Sequence, residues 1–223
     1  MSSAKDADRQ KREKSFWDKY APGYDNRILK IFKNAYDLSI QKVCSILSPD
    51  QQVLDMGCGT GIISIGIAPY VNRVIATDLS SEMISVAKGK ARNQSITNVD
   101  FRVGDSYALP FPDESFDVVL LFNSLHIVKE PAALLREAHR LLRPGGRLVS
   151  ATDCYAEPVP FRVRLLLHAQ KLLHLVDYIP FVWDYRIEEL RRLFEQNAFV
   201  IEDAEILHPA PVNYYVEASK RTD

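Results

Sequence analysis

Several things are scarce in this chain of 223 residues, and each scarcity removes a class of function. The three cysteines, Cys44, Cys58 and Cys154, are odd in number and widely spaced. That argues against a disulfide-stapled scaffold and suits a reducing cytoplasm. His126, His139, His168, His174 and His208 stand at no metal-ligand spacing with those cysteines, so no metal site is expected. Charge of one sign is missing too: 28 basic against 29 acidic residues leave a net charge of −1. A polyanion partner would gain little counterion release from such a surface, so nucleic acid is not expected. No stretch approaches the roughly 20 apolar residues that span a bilayer. Met1 to Lys14 is charged throughout and lacks the apolar centre of a secretory signal. Repeats and low-complexity tracts are absent as well.

What is present has the length of one ordinary domain, or one domain with a small cap. Residues 1–14 are so polar that they read as a disordered, solvated arm. Between Ser15 and Leu47 the aromatics Phe16, Trp17, Tyr20, Tyr24, Phe32 and Tyr36 recur at helical spacings around Pro22-Gly23, which predicts two helices with an aromatic elbow. From there strand and helix alternate, the pattern of a parallel sheet covered on both faces. Strands are predicted at 52–56, 73–77, 99–103, 116–122, 147–151, 201–207 and 212–218. Helices are predicted at 60–69, from Ser81 to about Asn93 with Ser80 as cap, at 131–142 and at 187–196.

The most informative run is Val53-Leu54-Asp55-Met56-Gly57-Cys58-Gly59-Thr60-Gly61. Two apolar residues suit a buried strand end, and three alternating glycines open the following turn to close backbone approach. Asp55 places a carboxylate at the carboxyl end of that strand, where open α/β sheets bind ligands. A dinucleotide loop would read G-x-G-x-x-G, but here the third glycine comes one residue early and its required position is Ile62.

The run resembles the first motif of the class I S-adenosylmethionine (SAM) methyltransferases. The likeness extends through an acid after the second strand, Gly104-Asp105-Ser106 after the third, Leu109-Pro110-Phe111-Pro112-Asp113-Glu114-Ser115-Phe116-Asp117, and Leu141-Leu142-Arg143-Pro144-Gly145-Gly146. The opening Phe16-Trp17-Asp18-Lys19-Tyr20-Ala21-Pro22-Gly23-Tyr24-Asp25 is similar to that of the ubiquinone/menaquinone-biosynthesis C-methyltransferases and related small-molecule (type 11) enzymes. The resemblance implies a doubly wound, mostly parallel seven-stranded sheet with its last strand antiparallel. It also implies an N-terminal helical lid over 15–48 and a helical cap inserted at 157–184, in a single domain spanning 15–223. The activity implied is transfer of the sulfonium methyl of SAM to a small, apolar or aromatic acceptor. Aminopropyl or cyclopropane chemistry in the same pocket, or a non-catalytic SAM-binding subunit, are the alternatives.

The same resemblance assigns positions. Asp55 would attract the cofactor's ammonium, with Gly57, Cys58 and Gly59 against its methionine and ribose portion; a helix cap is the plainer role for Asp55. Asp78 would accept both ribose hydroxyls, or merely cap the next helix. Leu79 and Met83 would pack against the adenine. Asp105 would accept from the adenine amine with the Ser106 amide beside it, unless it is a simple turn acid. Asn123 would touch the methionine end, and Tyr20 and Tyr24 would close from the elbow or simply pack. His126, just beyond the fourth strand, has the pKa of a general base but equally the position of a residue that only orients. The tetrapeptide of amino-methylating nucleic-acid enzymes is absent there, where Asn123-Ser124-Leu125-His126 stands. Finally, between 159 and 183 Arg164, His168 and Lys171 fall on one stripe of an otherwise apolar helical pattern. That stripe suits an acceptor cap, with peripheral membrane contact as a further expectation.

Overall fold

A computed structural model describes residues 4–158, 160–161 and 182–221. Two N-terminal helices, α1 (Ala4–Tyr20) and α2 (Tyr24–Ile46), precede an alternating series of strands and helices. The series runs β1 (Gln52–Met56), α3 (Ile62–Ile67), β2 (Arg73–Asp78), α4 (Ser81–Asn93), β3 (Val99–Val103), β4 (Phe116–Phe122), α5 (Pro131–Leu141) and β5 (Leu142–Cys154). After α6 (Ile187–Gln196) the hairpin β6 (Phe199–Pro209) and β7 (Val212–Lys220) completes it. The described strands form one seven-stranded sheet in the order β3-β2-β1-β4-β5-β7-β6. β7 runs antiparallel to both its neighbours, and the pairings from β3 through β5 are parallel.

The central strands are buried on both faces, and alternate residues feed two separate cores. Val118 and Leu120 join the cluster that includes Val53 and Val74, together with residues of α2, α3 and α4. Val119 and Leu121 join the cluster that includes Leu54, Leu148, and Leu134 and Phe194 from α5 and α6. Continuous apolar runs such as Val118-Val119-Leu120-Leu121-Phe122 are what this two-sided burial demands. In α4, Ser80 caps the helix as expected, its Oγ accepting from the Met83 amide at 3.1 Å.

Two differences from the sequence reading matter for the site. β5 begins at Leu142 rather than Arg147, because Leu142 pairs with Phe116 and the register shifts before Val118 pairs with Arg147. It also runs on to Cys154, so that Asp153 pairs with Asn213 of β7. The second difference is the expected disordered arm, which is wrong for residues 4–14: they belong to α1. Its stability comes from contacts distant in sequence that composition does not register. Arg9 Nη2 and Gln10 Nε2 each donate to Asp105 Oδ2 at 2.6 Å, and Lys14 Nζ reaches Ser81 Oγ at 2.7 Å. The pairs Arg9–Glu13 and Lys14–Asp18, one turn apart, reinforce the helix itself. The cap expected at 157–184 falls, for residue 159 and residues 162–181, outside the described residues. None of the described helices is long and apolar enough to cross a membrane.

Candidate active site

The carboxyl ends of β1, β2 and β4 open onto one cleft, where open α/β sheets bind ligands. Its floor is the glycine loop. Gly57 has φ +77°, and a Cβ there would stand 2.7 Å from Ser124 Oγ, so only glycine fits between β1 and the loop after β4. Gly61, also at φ +77°, caps α3 and lies so close to Phe101 that a Cβ would be 2.8 Å from the ring. The loop is tied to β2 by the Gly57 and Cys58 amides, which both donate to the Thr77 carbonyl.

Four acids meet this cleft or the smaller cavity beside it: Asp55, Asp78, Asp105 and, from α1, Glu13. Asp55 is buried at 2% exposure, accepts from Ser64 Oγ at 2.5 Å, and is pushed up to about 7 chiefly by desolvation. It lines an adjoining space of about 330 Å³ together with Tyr24, Cys58 and Thr60. Asp78 accepts from the Gly59 amide at 2.9 Å through one oxygen and from the Ser80 amide at 2.8 Å through the other. Burial raises it to about 6 against those two donors. Ser80, not Asp78, is the cap of α4. Among the described residues no ion pair holds Asp55 or Asp78, and two acids at adjacent strand ends lack a basic partner. Asp105 is different. Its Oδ2 is taken by Arg9 and Gln10, and its Oδ1 accepts the Tyr107 amide at 3.2 Å, a turn closure of its own.

Leu79, Met83, Ser106, Asn123 and Tyr24 line the cleft with Gly57, Gly59, Asp78 and Asp105. Asn123 sits in the left-handed region at φ +52°, a conformation asparagine tolerates best after glycine. Its side chain is held on both sides: Nδ2 donates to Tyr36 Oη at 3.1 Å, and Oδ1 accepts from Asn213 Nδ2 at 3.0 Å. Tyr20 does not line the cleft. Its ring stacks on Phe16, meets the Tyr24 ring edge-on and lies under the Arg27 guanidinium. His126 does not line it either. It is buried, with Nε2 3.8 Å from Asp153 Oδ2 and its ring edge-on to Tyr155. Burial lowers its pKa and nearby Asp153 partly offsets that.

Sequence reasoning missed Arg9, Glu13 and Trp17, which reach the cleft from α1. It also missed Asp25, which accepts from Thr60 Oγ1 and pairs with Lys90, each at 2.5 Å, tying α2 to the glycine loop and α4. Asp153 carried a usable signal, being an acid at the carboxyl end of a predicted strand. The contacts of Arg9 had none, since its partner lies 96 residues away.

Comparison with known proteins accords with this geometry. A family model described as a methyltransferase domain matches residues 54–150. Over 200 residues the chain is 30% identical to a demethylmenaquinone methyltransferase of Tropheryma whipplei, covering 85% of this chain and 81% of that one. It is 29% identical over 174 residues to the uncharacterized methyltransferase YcgJ of Bacillus subtilis, covering 78% and 67%. Several other matched relatives are spanned over only 40% to 61% of their own length. Among solved structures, the fold superposes on the methyltransferase crystallised with the Haloferax volcanii Trm112 methyltransferase activator, with a TM-score of 0.77, 17% identity, and 95% and 98% of the two chains covered. The glycine loop, the strand-end acids and these matches together place the chain in the family of S-adenosylmethionine-dependent methyltransferases.

Proposed function

We propose that this chain binds SAM in the cleft above β1, β2 and β4 and transfers its methyl group to a small, largely apolar or aromatic acceptor. The observation that carries the reading is the pair of acids Asp55 and Asp78, which no basic side chain pairs with among the described residues, on either side of a loop whose Gly57 lies at φ +77° against Ser124. A ligand bearing an ammonium and a ribose diol suits the pair, whereas the pyrophosphate of a dinucleotide would be repelled. Bound there, SAM supplies a methyl group activated by a sulfonium and open to in-line displacement. The chain's own share is positioning and desolvation. Asp78 accepts the two ribose hydroxyls, Asp55 faces the ammonium side, and Leu79 and Met83 flank the adenine.

Phe122, Ile127, Val128 and Leu134 give the cleft an apolar wall beside Asn123, which supports an apolar acceptor. Likeness to a demethylmenaquinone methyltransferase supports a quinol-sized aromatic one. The reading assigns no nucleic-acid partner and places the enzyme in a reducing cytoplasm, in keeping with the free thiols of Cys44, Cys58 and Cys154. Any membrane contact through residues 159–183 belongs to acceptor delivery, and co-sedimentation with anionic vesicles at low salt tests it alone.

Titration calorimetry with SAM, S-adenosylhomocysteine and NAD, followed by transfer of labelled methyl to a reduced naphthoquinone and a panel of phenols, tests the whole reading. Micromolar binding of the first two without NAD is the expected result. Saturable NAD binding without a SAM signal would overturn it.

A further inference from the structure

A second polar centre lies next to the cleft, at the carboxyl ends of β4 and β5 where β7 begins. Its members come from three strands: His126 after β4, Asp153 in the last turns of β5 with Tyr155 just beyond, and Asn213 near the start of β7. Asn213 Nδ2 donates to Asp153 Oδ1 at 2.7 Å, and Tyr155 Oη donates to Asp153 Oδ2 at 3.1 Å. His126 Nε2 approaches the same Oδ2 at 3.8 Å. The other ring nitrogen of His126, Nδ1, is buried and has no hydrogen-bond partner among the described residues. Buried polar atoms are nearly always paired, so this open Nδ1, in a ring whose far side faces a carboxylate, is a position that can receive a hydrogen-bonding group of a ligand. Through Asn213 and Asn123 the cluster connects to Tyr36 and to the wall of the cofactor cleft.

Resting on the methyltransferase reading, we infer that His126 is the proton acceptor for an acceptor hydroxyl, and that Asp153 is the positioning residue that aims it. Asp153 favours the tautomer with hydrogen on Nε2, leaving the Nδ1 lone pair open. One lone pair takes one O–H. Both oxygens of Asp153 are already engaged, which leaves no free carboxylate for an ammonium acceptor and selects a neutral, weakly acidic hydroxyl such as a phenol, an enol or a hydroquinone. In the step, the acceptor's O–H bond breaks, its pair stays on oxygen, and the proton forms an N–H bond at Nδ1. The imidazolium is then balanced by Asp153 across 3.8 Å, and the electron-rich oxygen or its conjugated carbon displaces the methyl, the carbon–sulfur pair remaining on sulfur. The proton leaves to solvent with the product. The charged group acting on His126 among the described residues is Asp153; Tyr155 packs edge-on to the His126 ring and bonds to Asp153, and Asp184 and Tyr20 act on Tyr155 in turn. Burial lowers the His126 pKa, so the ring is neutral and able to accept a proton at pH 7.

The test uses para-nitrophenol as probe, whose phenolate is read by its absorbance, added to protein saturated with S-adenosylhomocysteine. Bound probe should ionise about one pH unit below free probe, roughly a tenfold stabilisation of the anion. His126→Gln should abolish that shift, and Asp153→Asn should move ionisation of bound probe back toward higher pH. Tyr155→Phe should do so less. S-adenosylhomocysteine affinity within about twofold of the parent shows each variant to be folded. With a turned-over phenol, His126→Gln should lower kcat by about a hundredfold with little change in KM. A probe that does not bind, or that ionises alike in parent and His126→Gln, overturns this inference and leaves the methyltransferase reading intact. Failure of the parent to bind S-adenosylhomocysteine overturns that reading instead.

Discussion

Asp78 and Asp153 stand at strand ends of one sheet, with two strands between them, and are held in opposite ways. Main-chain amides hold Asp78: Gly59, 19 residues away, and Ser80, two residues on. Side chains hold Asp153, with Asn213 lying 60 residues further along and Tyr155 and His126 completing the group. An amide donor is presented by any residue whose backbone takes the right turn, so the cofactor half depends on a few glycines and a short stretch of chain. The acceptor half depends on which side chains three separate strands bring together. Cofactor binding is therefore the sturdier property and acceptor choice the more easily changed, which suits a fold that serves many acceptors.

The largest effect expected from breaking this contrast is on cofactor affinity. Charge-assisted bonds are worth roughly 1.5 to 3 kcal/mol each, so Asp78→Ala should weaken SAM by about tenfold to a hundredfold. Asp153→Ala should leave it within about threefold, since the residue touches the cleft only through Asn213 and Asn123. Calorimetry on both variants measures this directly, and equal losses would erase the distinction between the two halves.

Next in size is the backbone requirement of the glycine loop. Gly57→Ala places a Cβ 2.7 Å from Ser124 Oγ on a backbone at φ +77°. The strained conformation costs on the order of 1 to 3 kcal/mol, a fall in Tm of roughly 2 to 10 °C for a chain of this size. Adding Ser124→Ala should recover the steric part and leave the conformational part. A thermal melt of the double variant identical to that of Gly57→Ala would mean that the contact with Ser124 contributes nothing.

The same contrast explains what could be read from sequence. β1 and β4 match their predicted bounds because each is a short, mainly apolar stretch buried in the sheet centre. Edge strand β3 also matches, though only Phe101 of it is fully buried, and β2 gains only Asp78. β5 was foreshortened because Arg143 to Gly146 looks like a turn, whereas pairing of Leu142 with Phe116 across a register shift carries the strand through it. That Asp78, Leu79 and Met83 line the cleft, with Asp55 in the cavity beside it, was legible because motif, strand end and helix cap lie next to one another in the chain. Asp153 carried a strand-end signal, but its grouping with Tyr155 and Asn213 was not legible, for it arises only when β7 is laid against β5. α1 was misread for a related reason: its residues are polar by composition, and the partners that fold it are Asp105 and Ser81.

A smaller effect concerns pH and again separates the halves. Asp55 and Asp78 are raised to about 7 and about 6, so the folded chain keeps protons there that the unfolded chain loses near pH 4. Their contribution to stability therefore falls as pH rises from about 4 to 7. A ligand carrying an ammonium favours the ionised acids, releases those protons, and should bind about tenfold tighter at pH 8 than at pH 5. Calorimetry in buffers of different ionisation enthalpy detects the released protons. Affinity that is flat with pH, with no proton release, would count against placing the cationic end of the cofactor beside Asp55.

The smallest effect expected lies at the adenine side, where Asp105 has two claimants. As the acceptor of an adenine amine it would have to give up Arg9 or Gln10, which both occupy Oδ2. Arg9 also lies over the Tyr107 ring at 4.6 Å, so α1 is latched across this end of the cleft. The Arg9 and Asp105 side chains are 13% and 19% exposed, and partly screened pairs are worth about 1 kcal/mol or less, a factor of roughly five at most. Arg9→Ala should thus speed trypsin cleavage after Arg12 and Lys14 by up to about fivefold and tighten SAM binding by a similar or smaller factor, because a competitor for Asp105 is gone. Limited proteolysis with and without S-adenosylhomocysteine, alongside calorimetry, reads both changes. If Arg9→Ala instead weakens SAM, then Arg9 belongs to the cofactor pocket itself, Asp105 serves α1 rather than the adenine, and the boundary between latch and binding site moves into the helix.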